Sequence, residues 1–267
     1  MTAYVNGEFV DDQEASIPVT DRGFTLGDGL FETMRVDAGA ILRLRAHLQR
    51  LRNGACILEL SLPVDDAALT AALMETLAAN GLRNGVLRLT LTRGSAARGL
   101  VAPSDTEPTL VIIASDLPPA PVAARAIVAQ QTRRNEFSPL SQCKSLDYLD
   151  NIIARQEAER AGANEALLLN TKGRLAEATI SNLFLVVDGK MITPPLSDGA
   201  LPGVMRATVI DHIECTDQSI FPDIFNRASE AFLTNSLGIR PLLSVDGETI
   251  GDGKPGTVTQ QLQNELD

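Results

Sequence analysis

A short proline-rich segment constrains this chain more than any other feature. In DLPPAPVAA, Asp116–Ala124, prolines stand at positions 118, 119 and 121. Each proline locks its own φ and lacks a backbone N–H, so neither a helix interior nor a central strand can run through the segment. The chain therefore divides into residues 1–117, a linker at 118–124, and residues 125–267. At 267 residues in all, it is long enough to bury a sizeable core.

Hydrophobic periodicity predicts the elements before the linker. Tyr4 and Val5, then Phe9 and Val10, flank Asn6-Gly7, the signature of a tight hairpin. Leu30 to Val36 reads as a strand and Asp37 to Ala40 as a turn. Leu44, Leu48, Leu51 and Ala55 fall at helical spacing, which predicts a helix over 45–55. Leu69, Leu73 and Leu77 stripe a second helix running from Asp65 to Asn80, with Asp65 as its cap and Gly81 as its stop. In Val86 to Thr92, Leu87, Leu89 and Leu91 share one face and Arg88, Thr90 and Thr92 the other. Thr109 to Ala114 is another apolar strand.

Beyond the linker, strands are expected at 126–130, 166–169 and 183–187, and near Phe232, closing on Thr234-Asn235-Ser236. Helices are expected over 147–161, ending at Gly162, and from about Gly203. Strands and helices mix without strict alternation, which predicts an α+β fold.

Charge and composition exclude several classes. A net charge of −11 repels phosphate backbones, so no nucleic-acid partner is expected. Cys56, Cys143 and Cys215 are widely spaced and form no CxxC pair, and His47 and His212 are the only histidines. Neither a disulfide framework nor a metal site is expected. No basic stretch leads into an apolar core at the N-terminus, and no apolar run reaches membrane-spanning length. A cytoplasmic protein without a membrane partner is the expectation. P-loop, GxSxG and HExxH motifs are all lacking.

Lys144, taken alone, is an ordinary surface lysine; its neighbourhood changes that reading. CKSLDYLDNIIARQEAERAG resembles the lysine region of class IV aminotransferases, the family of branched-chain and D-amino acid aminotransferases and aminodeoxychorismate lyases. EALLLNTKGRLAEATISNLFLV, LPGVMR and LTNSLGIRPL extend the resemblance. So do DRGFTLGDGLFETMRV, RAHLQRL and LTRGSAARGL before the linker. The blocks keep the family's order across nearly the whole chain.

The resemblance implies a pyridoxal-5′-phosphate (PLP) enzyme built from two α/β domains of the fold type IV kind, with the cofactor in the cleft between them, acting as a homodimer. It implies that Lys144 holds the cofactor covalently and moves the substrate Cα proton. Glu177, in LAEATISNLF, matches the carboxylate that keeps the pyridine nitrogen protonated, so that the ring acts as an electron sink. Arg50 matches the phosphate-binding arginine. Gly203, Val204 and Met205 sit where a helix N-terminus offers amides to that phosphate. Thr234 and Asn235 match the last phosphate-side loop, and Tyr148 a tyrosine near the ring oxygen.

Substrates would be amino acids and 2-oxo acids, whose carboxylates suit arginine. Arg98 matches a carboxylate-binding arginine of the D-amino acid enzymes, although Phe31 and Leu100 replace that subfamily's tyrosine and histidine. Arg88 is a second candidate clamp, Phe31 and Thr33 candidate pocket residues, and Arg22 reads as a structural partner of Asp21. KSLDYL is more similar to transaminases; RGSAARGL and TNSLGIRPL are more similar to the lyases. Transamination is the leading expectation and formation of 4-aminobenzoate and pyruvate the alternative. A non-catalytic PLP or small-molecule binding protein is a further alternative, from another class.

Overall fold

The computed structural model describes residues 1–267. They form two compact units: Met1–Pro119 with Cys143–Asp147, and Ala120–Gln142 with Tyr148–Asp267.

The first unit contains β1 (Thr2–Val5), β2 (Glu8–Asp11), α1 (Arg22–Leu26), β3 (Gly29–Asp37), β4 (Ala40–Ile41), α2 (Leu44–Ile57), α3 (Asp66–Ala79), β5 (Gly85–Thr92) and β6 (Thr109–Ser115). Its six strands make one antiparallel sheet in the order β2-β1-β6-β5-β3-β4. The first hairpin turns on Asn6 (φ 49°) and Gly7 (φ 102°), the paired positive φ values that let two strands meet across two residues. Asp65 caps α3 by accepting from the Ala68 amide at 2.9 Å, and Gly81 follows the helix at φ 62°. Leu87, Leu89 and Leu91 of β5 are fully buried with Leu30 and Met34 of β3, and against them pack Leu48 and Leu51 of α2 and Leu69, Leu73 and Leu77 of α3. Each such side chain contributes about 1.5–3 kcal/mol by leaving water.

The second unit contains β7 (Ala124–Val128), α4 (Leu149–Arg160), β8 (Glu165–Leu169), β9 (Leu175–Ala178), β10 (Asn182–Val187), β11 (Lys190–Thr193), α5 (Val204–His212), β12 (Cys215–Asp217), β13 (Ala228–Asn235), β14 (Gly238–Val245), β15 (Glu248–Thr249) and α6 (Thr257–Leu266). They build a nine-stranded mixed sheet, β12-β11-β10-β13-β14-β7-β8-β9, with β15 beside β14. β7 and β8 run parallel, with α4 in the crossover between them, as parallel neighbours require. Every residue of β8 and of β10 is buried. Leu183, Leu185 and Val187 enter one core and Phe184 another, where it stacks on its strand partner Phe232 with ring centroids 5.0 Å apart. A strand covered on both faces reads as a continuous apolar run.

The expected boundaries shift modestly. α2 extends over Leu44–Ile57, α4 starts at Leu149 instead of 147, and the strand placed at 126–130 is β7, Ala124–Val128. The short strands β11 and β12 and the helices α1 and α6 are further elements that the sequence reading does not include.

Candidate active site

In the first unit, the segment carrying Lys144 is fastened through its backbone. The Lys144 carbonyl accepts from the Phe31 amide at 2.9 Å, and the Leu146 amide donates to the Gly29 carbonyl at 2.9 Å. Lys144 is thus laid along the start of β3, whose alternation sends Phe31 and Thr33 to one face and Glu32 to the other. The Lys144 Nζ lies 4.2 Å from the Phe31 ring centroid, and the Arg88 Cζ lies 3.9 Å from the same centroid. Cations within about 6 Å of an aromatic ring are attracted to it. Arg88 is half-buried and is the cross-strand partner of Thr33. Lys144, Phe31, Thr33 and Arg88 therefore form one cluster.

Arg50 points from α2 to the opposite, core-facing side of β3. Its Nε and Nη2 donate to Glu32 Oε1 and Oε2 at 2.8 and 2.6 Å, and His47 Nδ1 lies 2.6 Å from Oε2. All three side chains are buried. Burial pulls the Glu32 carboxyl upward, but Arg50 and then His47 outweigh it and hold it below the usual 4.5. Arg50 is thus a buried, paired cation, not a solvated helix-face charge.

Arg98 lies elsewhere in this unit. It is exposed, in a loop beside a hollow of about 400 Å³ also lined by Val19, Thr20, Arg22, Leu26 and Leu100. The partner expected for Arg22 is corrected here. Arg22 pairs with Asp28, Nε to Oδ2 at 2.8 Å, and donates to the carbonyls of Gly99 and Leu100 at 2.8 and 2.7 Å. Asp21 is occupied by other work: it caps α1 through the Gly23 amide and accepts from the Thr92 and Thr109 hydroxyls, both at 2.8 Å.

In the second unit, Glu177 lies buried on β9 opposite Leu168. Its Oε1 is 3.1 Å from Arg134 Nε, and its Oε2 accepts from the Leu201 amide at 2.9 Å. α5 begins at Val204, with Gly203 in the cap position supplying no side-chain cap. The first amides of a helix have no acceptor within it, so those of Val204 and Met205 suit an anion. Space at this turn is tight: a Cβ on Gly203 would stand 1.9 Å from Asn182 Oδ1. Asn182 also donates to the Leu201 carbonyl at 2.9 Å and is the strand partner of Thr234. It thereby sets the start of α5 beside the end of β13. There the Thr234 hydroxyl is buried without a hydrogen-bond partner. Asn235 accepts from the Leu237 amide at 2.9 Å and donates to Ser181 Oγ at 3.1 Å. Tyr148 is half-buried at the residue before α4.

A carboxylate beside a cation, an open helix N-terminus and an orphaned hydroxyl fit a phosphorylated pyridine such as PLP. Arg134 and Asn182 were not foreseen as part of the site. Both are remote in sequence from the groups they hold; Arg134 lies outside every quoted block, whereas Asn182 lies in the Glu177 block, five residues after the carboxylate.

The family model for amino-transferase class IV matches residues 29–245. A Methanocaldococcus jannaschii protein, provisionally named as a branched-chain-amino-acid aminotransferase, is 34% identical over all of this chain and 95% of its own length. The branched-chain amino acid aminotransferase of Escherichia coli superposes with a TM-score of 0.93 at 27% identity, covering 98% of this chain and 92% of that one. The 4-amino-4-deoxychorismate lyase of Pseudomonas aeruginosa superposes with a TM-score of 0.87 at 34% identity, covering 99% and 97%.

Proposed function

From the premise that this chain belongs to the class IV aminotransferase family, an aminotransferase fold of two domains, we propose that it exchanges an amino group between an amino acid and a 2-oxo acid with PLP as cofactor. The observation that carries the reading is Glu177: a buried carboxylate with both oxygens occupied, one by Arg134 and one by the Leu201 amide. A carboxylate held in this way can keep a proton on a pyridine nitrogen beside it. When bound, the cofactor supplies an electron sink for the substrate Cα carbanion.

The chain's own residues divide the remaining work. Lys144 would hold the cofactor covalently, and its amine would take and return the substrate Cα proton. Gly203, Val204, Met205, Thr234 and Asn235 would bind the phosphate and Tyr148 would approach the ring oxygen; Arg50, which the resemblance also assigns to the phosphate, is engaged by Glu32 through Nε and Nη2. Phe31 and Thr33 line the substrate pocket, and Arg88 or Arg98 reads the substrate carboxylate. The chain works as a homodimer. Support comes from the first unit, where the exposed Val19, Leu26 and Leu100 line one hollow, since soluble proteins seldom leave large apolar patches uncovered.

The test is a panel of D- and L-amino acids with 2-oxoglutarate on purified, PLP-loaded protein, alongside borohydride reduction and peptide mass mapping. The expected result is amino exchange with the reduced adduct on Lys144. An adduct on another lysine, or no visible band on adding PLP, refutes the reading. One observation favours a second reading: the structural relative from Pseudomonas aeruginosa, named as a lyase, shares 34% identity across nearly the full length. Offered 4-amino-4-deoxychorismate, a lyase releases pyruvate and 4-aminobenzoate without needing an oxo-acid acceptor, which separates the two activities. Sedimentation at micromolar concentration checks the dimer.

A further inference from the structure

Arg134 lies ten positions before Lys144, in a stretch with no periodicity, yet it contacts several separate segments of the second unit. Its amide donates to the Leu169 carbonyl at 2.8 Å, and it forms a bridge with Asn170, so its backbone is tied to the end of β8. β8 also carries β9, where Leu168 faces Glu177. The Arg134 and Glu177 backbones are therefore fixed by one strand, and their side chains meet with Nε 3.1 Å from Oε1. The same Nε donates to the Gly199 carbonyl at 3.1 Å. Gly199 is at φ 97°, and a Cβ there would lie 3.3 Å from the Arg134 Cβ; both facts favour glycine at this close approach.

The contacts continue in one direction. From Gly199 the chain reaches Leu201, whose amide donates to Glu177 Oε2 at 2.9 Å. The Leu201 carbonyl accepts from Asn182 Nδ2 at 2.9 Å and from the Gly203 amide at 2.8 Å. Gly203 is the cap of α5. One guanidinium thus stands behind a carboxylate and, through the loop of residues 199–201, behind a helix N-terminus.

We propose that Arg134 is a positioning residue that fixes Glu177 and the start of α5 together, coupling the ring end of the bound cofactor to its phosphate end. The proposal rests on the reading of Glu177 as the partner of the pyridine nitrogen. Arginine suits the role because its planar fork keeps several donors in fixed relation. Each carboxylate oxygen accepts more than one hydrogen bond, so contacts from behind leave Glu177 able to accept in front.

The test titrates full-length protein with PLP and with its 1-deaza analogue, in which CH replaces the ring nitrogen. The ratio of the two dissociation constants reads the contact between carboxylate and ring nitrogen without any turnover. Competition by inorganic phosphate reads the α5 end. In the unaltered chain the analogue is expected to bind about tenfold or more weakly, the scale of one charge-assisted hydrogen bond. Glu177→Gln should bring the ratio close to one; a ratio unchanged by Glu177→Gln overturns the reading of Glu177 itself. Arg134→Gln should lower the ratio at least threefold and weaken phosphate competition at least threefold, while Arg134→Lys falls between. If Glu177→Gln collapses the ratio but Arg134→Gln leaves both readouts unmoved, the positioning role is overturned and the Glu177 reading stands. Should Arg134→Gln fail to fold by thermal melting, Arg134→Lys is judged by the same two readouts, and values equal to those of the unaltered chain overturn the role.

Discussion

Arg50 and Glu32 meet edge to edge inside the first unit, Nε to Oε1 at 2.8 Å and Nη2 to Oε2 at 2.6 Å. Two parallel hydrogen bonds between a guanidinium and a carboxylate fix distance and angle together. The pair ties α2 to β3, the strand that also holds Lys144 by its backbone. Glu32→Gln leaves a buried arginine short of its counter-charge, and breaking such a pair costs about 3–5 kcal/mol. Urea unfolding near neutral pH should show that loss, and an unchanged midpoint would contradict it.

The same carboxylate sets a pH dependence. Its folded-state pKa lies below the ordinary 4.5, so the unfolded chain binds the proton more tightly. The stability this group contributes is therefore complete above about 4.5 and is lost as pH falls through the lower, folded value. Denaturant midpoints measured between pH 6 and pH 3 should decline more steeply for the unaltered chain than for Glu32→Gln. Parallel curves would mean that the acid sensitivity arises elsewhere.

Lys144→Ala should abolish turnover while the fold survives. The anchoring contacts at this position use its backbone carbonyl and the Leu146 amide, which alanine retains. The side chain gives up its contact with Phe31, a kind of contact worth about 0.5–1 kcal/mol at exposed sites. Thermal melting within a few degrees of the unaltered chain, together with no detectable product, is the expected pair of results.

Gly203→Ala forces a methyl to within 1.9 Å of Asn182 Oδ1. Overpacking of this kind costs about 1–3 kcal/mol, and displacement of the α5 start should weaken PLP binding as well. Adding Asn182→Ala to Gly203→Ala removes the obstructing atom and should recover part of the stability. A double variant no better than the sum of the two single changes would show that the clash is not the cause.

Arg88 and Arg98 are separated by a kinetic test. Arg88 lies in the cluster with Lys144 and Phe31, whereas Arg98 is exposed in its loop. Losing a charge-assisted contact costs about 1.5–3 kcal/mol, roughly ten- to a hundredfold in kcat/KM. Arg88→Gln and Arg98→Gln, assayed over a range of amino donors, should assign that loss to whichever arginine reads the carboxylate. The other variant should stay within about threefold on the same scale.

Much of this molecule was legible along the chain because the controlling interactions are short in range. Asn6-Gly7 turns the first hairpin through its own φ values, Asp65 caps α3 three residues away, and the leucines of β5 alternate inward as a pleated strand demands. The ordered blocks around Lys144 and Glu177 pointed to the family in the same way, since each is a contiguous run. Pairings between distant residues were not legible. Arg22 was assigned to its neighbour Asp21, yet it holds Asp28 and two loop carbonyls, because Asp21 is already engaged by an amide and two threonines.

Local φ preference and hydrophobic period are written residue by residue, and from them came the elements, their caps and the lysine-bearing block. Which charges become buried together depends on strand register and on how a helix lies across a sheet. Those are settled only when the cores close, and no short stretch of chain encodes them. So Arg50 facing Glu32, Arg134 behind Glu177, and Asn182 joining the start of α5 to the end of β13 belong to the tertiary structure alone.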